Sequence, residues 1–299
     1  MILFLCIDIQ FFSISLWQDL LTGTIGAFLG FLGAYFIFIR GIKNDRKKER
    51  QRFKDEQLDK LKYFSILTEN IIKISKKQSE NYILYVNKIK LKPFEHHLLG
   101  NITNNDIKRA TNKLNLEEYY LAYISRFGND KNTIKEYKDI ISSFDYIDTI
   151  YDEAVRILKE KLEKIYQMKV NLNSAFVKVC DACGQTIYIE NVKDQEEVLE
   201  FFNTTFKIFF ECKTVSDGFI TQKEKFIEPI MQFLIEKNYL GIPYLNKIFF
   251  QLKECTIIYD DIIFDVNDLC EAFRVFADQM KDANNTLIES SKRLIKIEF

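Results

Sequence analysis

The sequence predicts an all-α protein: a single N-terminal transmembrane helix, a long cytoplasmic stalk helix and an irregular multi-helix bundle. Three observations carry this reading. The 299 residues include only 3 prolines and 10 glycines, and Gly23, Gly26, Gly30 and Gly33 crowd into one short stretch, so the chain after Gly41 is poor in breakers. Leu20 to Ile39 contain no charged residue. Downstream, apolar residues recur three and four positions apart, the period of a helix buried along one side. Such a chain matches neither a glycine-looped α/β enzyme nor a turn-rich β-sandwich. With 47% hydrophobic and 28% charged residues it is not wholly disordered either. The 42 basic and 43 acidic residues nearly cancel, which gives no global case for a nucleic-acid partner, and no specific nucleic acid is expected.

Residues 1–19 read as a short extracytoplasmic or interfacial lead-in. They are apolar but interrupted by Asp8, Gln10 and Ser13, too short a run for a separate span. Two closely connected spans are the alternative. Residues 20–39 are the transmembrane helix, long enough to cross about 30 Å of hydrocarbon. Arg40, Lys43, Arg46, Lys47, Lys48, Arg50, Arg52 and Lys54 follow it, against Asp45 and Glu49, for a net charge of +6. The preceding residues carry only Asp8 and Asp19. The positive-inside bias therefore predicts a single-pass protein of a bacterial inner membrane, N-terminus outside and C-terminal domain in the cytoplasm. The same eight basic side chains suit contact with anionic lipid headgroups.

Within the span, Gly23, Gly26, Ala27, Gly30, Gly33 and Ala34 place small residues four apart, a flat ridge that lets another helix approach closely; homo-oligomerisation is expected there. Residues 40–92 are the basic juxtamembrane and stalk helix. Leu61, Phe64, Ile71, Tyr82, Tyr85 and Ile89 form its stripe, broken at Thr68, Ser75 and Gln78. Those polar gaps leave a sustained coiled coil possible but unsecured.

Residues 93–299 are the cytoplasmic helical domain. Pro93 and Gly100 bracket a break. Asn101 to Asp106 offer caps for a short helix through Leu114, another spans Leu116 to Phe127, and Gly128 to Asp130 end it. Thr133 to Ile189 is mostly helical, with a possible division near Ser143 or Asn171 and an early end at Gly184; its stripe is Leu158, Leu162, Ile165, Leu172, Phe176, Val179, Cys183 and Ile187. The phenylalanine-rich helix Gln195 to Cys212 reads as core. A turn at Ser216 to Gly218 precedes helices around Gln222 to Lys237, with Pro229 near a start or kink, and Pro243 to Tyr259. The final helix carries Leu269, Phe273, Phe276, Met280, Ala283, Leu287, Leu294 and Ile297, with Asp265 and Asp268 as candidate caps.

Catalytic motifs are sparse. Cys180 and Cys183 form a single Cys-x-x-Cys pair on an apolar helix face, which favours buried thiols over zinc or redox chemistry. His96 and His97, beside Glu95, fit an interhelical turn better than an acid-base site. Asp260, Asp261, Asp265 and Asp268 lack the calcium-loop pattern. There is no GxxxxGK, GxGxxG or nucleophile-elbow sequence. No metal or cofactor is expected. The sequence points to a noncatalytic membrane-anchored scaffold, sensor or effector that oligomerises and couples a cytoplasmic protein or small ligand to its membrane helices, with bacterial defence one version. A membrane-bound enzyme of unrecognised chemistry and a purely structural anchor are the alternatives.

Overall fold

The computed structural model describes residues 2–188, 195–212 and 218–297, and every regular element among them is helical. The chain forms two compact units, Met1–Tyr63 and Phe64–Phe299.

The first unit is the leading part of α1, a helix that runs Ile2–Leu91. Its uncharged stretch Leu20 to Ile39 has no buried residue. Leu21, Ile25, Phe28, Leu29, Phe36 and Phe38 are all exposed. So large an apolar surface is untenable in water and is what a bilayer solvates. By length and composition this one apolar helix among the described residues suits a single membrane crossing, which suggests a single-pass membrane protein with lipid around the helix. Thr24 fits that solvent because its hydroxyl donates within the helix, to Leu20 O at 2.8 Å and Leu21 O at 3.0 Å. The backbone is helical from Ile2; the side chains of residues 1–16, on which the expectation of an interfacial lead-in rests, lie outside the described set.

The second unit is built on three long segments: residues 64–91 of α1, α4 (Lys131–Gln185) and α8 (Pro243–Ser290). Hydrogen bonds from Ser75 to Asn284, from Ser79 to Ala277 O and from Cys270 to Val86 O show α1 and α8 antiparallel. Lys161 with Asp265 and Tyr244 with Ala182 O show the same for α4 and α8. Phe64, Tyr82, Tyr85 and Ile89 are buried. Phe64 meets Phe144 and Tyr137 of α4 at 6.0 Å, and Tyr82 and Tyr85 meet Phe273 of α8 at 5.2 and 5.4 Å. The stripe from Phe64 onward is thus covered by this chain's own helices. Its polar gaps are core positions too. Thr68 donates to Phe64 O at 2.7 Å, Ser75 to Asn284 Oδ1 at 2.9 Å, and Gln78 Oε1 accepts from the Ile102 amide at 2.9 Å. Thr68 and Ser75 are thereby satisfied in the core, and Gln78 is satisfied at Oε1, its Nε2 being buried with no partner among the described residues.

The shorter helices wrap this frame. α2 (Asn105–Asn112) ends two residues before the expected Leu114, and α3 (Leu116–Phe127) has the predicted bounds. Gly128 closes α3 at φ +98°, a conformation that disfavours any side chain. Asp130 then caps α4 by accepting from the amides of Asn132 and Thr133. α4 passes Ser143 and Asn171 without a break and reaches Gln185, one residue past Gly184, before a 3-10 turn at Thr186–Tyr188. α5 (Gln195–Cys212) buries Phe202 and Phe209, and its Phe201 stacks on Phe233 at 3.9 Å. Phe210 stays exposed. The expected turn at Ser216 and Asp217 lies outside the described residues, and Gly218 already opens α6 (Gly218–Gln222).

Pro229 marks both a start and a distortion. A π turn at Lys223–Ile227 leads into α7 (Glu228–Glu236), which has the proline in its first turn. The ring lacks an N–H and crowds the carbonyl four residues earlier, so the preceding turn widens.

One expectation is overturned. Asp265 and Asp268 cap nothing, because α8 runs through them as one helix. The segment between Tyr259 and Leu269 has no glycine or proline to stop it, and α4 supplies the charges that make a buried Asp265 tolerable. α9 (Lys292–Ile295) follows, with Arg293 donating to Glu136 Oε2 at 2.8 Å from Nε and resting 5.1 Å from the Phe127 ring.

Candidate functional site

α1 ends where Pro93 removes an amide donor and biases Lys92 away from helical geometry. The peptide that follows is held from three sides. Lys92 Nζ pairs with Glu95 Oε1 at 2.7 Å. His97 Nε2 lies 2.8 Å from Lys92 O; a carbonyl only accepts, so this nitrogen carries the proton. Phe94 packs between Phe219 and Tyr259, with ring centroids 5.4 and 4.6 Å away. Beneath this turn, between α1, α4 and α8, lies a cavity of about 520 Å³.

Its floor is apolar, formed by Ile89, Ile165, Val266 and Leu269. Its polar groups lie around this floor and towards the mouth. Lys169 donates from Nζ to Phe94 O at 3.0 Å, and burial alone lowers its affinity for a proton below the ordinary value. Tyr85 is 2% exposed, and its hydroxyl has no hydrogen-bond partner among the described residues; burial first, then the nearby Cys270, pushes its pKa up. Tyr166, Glu163, His96 and His97 complete the mouth. An amine and a phenol above an apolar floor are equipped to hold a small organic molecule by an electron-rich end.

A larger groove of about 630 Å³ runs between α1 and α8 past Ile83, Leu84 and Ile288. Its buried polar residue, Asn284, is already bonded to Ser75, so it offers no comparable unsatisfied group.

The residues singled out in the sequence distribute as follows. Gly23, Gly26, Ala27, Gly30, Gly33 and Ala34 stand exposed on α1, as do all eight basic residues from Arg40 to Lys54. His96 and His97 sit in the turn between α1 and α2 and both line the cavity. Among the described residues, no three His, Cys, Asp or Glu side chains gather into a metal-binding set. Cys183 and Cys255 are buried free thiols. Burial pushes Cys183 up, reinforced by Cys180, and raises Cys255 to about 12. Thiols held protonated in this way are poor nucleophiles.

Asp265 is 2% exposed and is flanked by Lys161 Nζ at 3.2 Å and Lys164 Nζ at 2.7 Å. Burial pushes its carboxyl up, but the two lysines outweigh this and leave it below the ordinary value. This cluster abuts the cavity through the neighbouring Val266. Sequence reasoning missed the roles of Lys169 and Tyr85: one lysine of many on a charged helix face and one tyrosine of an apolar stripe give no signal until the cavity joins them. Comparison of the chain with protein-family models, with curated proteins and with solved structures gives no match.

Proposed function

We propose that this protein is a noncatalytic, membrane-anchored sensor or effector that homo-oligomerises through its apolar helix and responds to a small ligand held in the helical body. The observation that carries the reading is that α1 is one helix: it supplies the apolar span and also Tyr85 and Ile89 of the cavity wall. A ligand shifts an equilibrium only by binding its states unequally. A cavity walled by α1, α4 and α8 meets that condition if the helices move relative to one another between association states. The basic block favours a cytoplasmic body at a bacterial inner membrane, with Arg40 to Lys54 at the headgroups. Defence by membrane disruption is one version of such an effector.

Association is assigned to the small-residue ridge. A Cβ built at Gly23, Gly26, Gly30 or Gly33 meets nothing within 4 Å, so this chain's own packing gives those glycines no use. Leucine at Gly26 and Gly30 therefore introduces no internal clash and favours the helix by about 0.8 kcal/mol per site. Gly26→Leu with Gly30→Leu is expected to leave insertion intact and to weaken association about fivefold, on the order of 1 kcal/mol, in crosslinking of native membranes. Unchanged association would move assembly to the body.

The coupling is tested by filling the cavity. Leu162→Trp, at its partly exposed wall, is expected to abolish retention of any small molecule that copurifies with the full chain and to shift its crosslinked oligomer distribution. A filled cavity with wild-type association would remove the sensor reading and leave a passive anchor.

A further inference from the structure

We infer that the cavity beneath the 92–97 turn is a site for a small carboxylate with an aromatic or aliphatic body, its head group held by Lys169 and the Tyr85 hydroxyl; this rests on the ligand-site reading above.

Lys169 is half-buried on α4, and among the described residues its one hydrogen-bond partner is the Phe94 carbonyl. Carboxylates line the same cavity, yet neither compensates it. Glu95 is taken by Lys92 at 2.7 Å. Glu163 is exposed at the mouth and lies six residues before Lys169 on the same helix, about 9 Å along the axis. Burial, with no contribution from any carboxylate, is what displaces the Lys169 equilibrium. Among the described residues the ammonium therefore has no paired counter-charge, which an anion in the cavity would supply.

Tyr85 adds a second donor. Its hydroxyl is buried and without a partner among the described residues, and a buried polar group left so is destabilising until a ligand satisfies it. The histidines do not compete for the head group: His97 donates towards Lys92 O, and His96 is exposed. One ammonium and one phenol match the two acceptor oxygens of a carboxylate, which has no donor of its own when ionised. A cationic ligand would meet Lys169 unfavourably, and a neutral one would leave it uncompensated.

The rest of the ligand follows from the walls. Ile89, Val266 and Leu269 are apolar, and Tyr166 lines the mouth. A volume of about 520 Å³ suits a molecule of one or two rings or a short acyl chain.

The test uses the full chain in nanodiscs of zwitterionic phosphatidylcholine, titrated calorimetrically with naphthalene-2-acetate and with its neutral isostere naphthalene-2-acetamide. The acetate is expected to bind at least about tenfold more tightly than the amide. Lys169→Met should erase that preference, Lys169→Arg should keep most of it, and Tyr85→Phe should weaken the acetate about threefold. The acid-to-amide ratio on the unaltered chain decides the matter even if a variant folds poorly. Equal binding of both probes would overturn carboxylate recognition while leaving a ligand site in place. A preference that survives Lys169→Met, or no binding of either probe, would overturn it as well. Failure of the sensor reading shows elsewhere, in an unchanged oligomer distribution when Leu162→Trp fills the cavity.

Discussion

Replacing Phe273 by alanine is expected to destabilise the helical body by about 3–5 kcal/mol, because the ring is the shared contact of two helices. Phe273 is fully buried. Its ring meets Tyr82 at 5.2 Å, Tyr85 at 5.4 Å and Phe276 at 5.7 Å. Truncation leaves a cavity among long helices that are also held at several other points, so the walls relax little and most of the lost contact energy is not recovered. Phe264 is the control on the same helix: it is 71% exposed, and its truncation should stay within about 0.5 kcal/mol. Urea unfolding of the full chain in micelles, followed by far-ultraviolet circular dichroism, distinguishes the two. Equal losses would mean that α8 does not pack on α1 through Phe273.

Removing Lys161 and Lys164 together is expected to cost about 3 kcal/mol, more than removing the carboxylate they hold. The asymmetry comes from exposure. Asp265 has a side chain 3% exposed, whereas those of Lys161 and Lys164 are 28% and 60% exposed. Lys161→Met with Lys164→Met strands a buried charge, while Asp265→Asn leaves Lys161 paired with Asp268 and Lys164 reaching water, and should cost about 1 kcal/mol. Adding Asp265→Leu to the lysine pair should restore most of the stability, since an apolar replacement of a buried ionic cluster is often neutral.

The pH dependence has a defined sign. Asp265 titrates below its ordinary 3.8 in the folded state, so the unfolded chain binds the proton more readily. The cluster's contribution is complete above pH 3.8 and is lost as pH falls through the folded value. The stability gap between wild type and Asp265→Asn should therefore be flat near neutrality and close on acidification. A gap that widened in acid would show that burial, not the lysines, governs Asp265.

The long-range consequences of these side chains were not legible in the sequence. Asp265 and Asp268 read as caps because an aspartate before an apolar run commonly is one, and nothing local distinguishes a cap from a buried ion pair. Lys161 and Lys164 stand about a hundred residues away, and only the antiparallel pairing of α4 with α8 brings them to Asp265. Thr68, Ser75 and Gln78 read as breaks in a stripe. They are core residues because a backbone carbonyl, an asparagine and a backbone amide happen to meet them there.

What the sequence determined by itself was whatever depends on near neighbours along the chain. Helix formation follows from the shortage of glycine and proline, and the apolar span from an uninterrupted run of side chains that favour lipid. The stop at Gly128 follows from local backbone chemistry, whereas Asp130, read in the sequence only as part of that stop, also caps the next helix. The tertiary structure alone decided which helix faces which, and with it the cavity that sets Lys169 and Tyr85 over an apolar floor. Those two residues lie 84 positions apart in the chain. Desolvation and missing partners are properties of the three-dimensional surroundings, and no residue pattern along the chain encodes them.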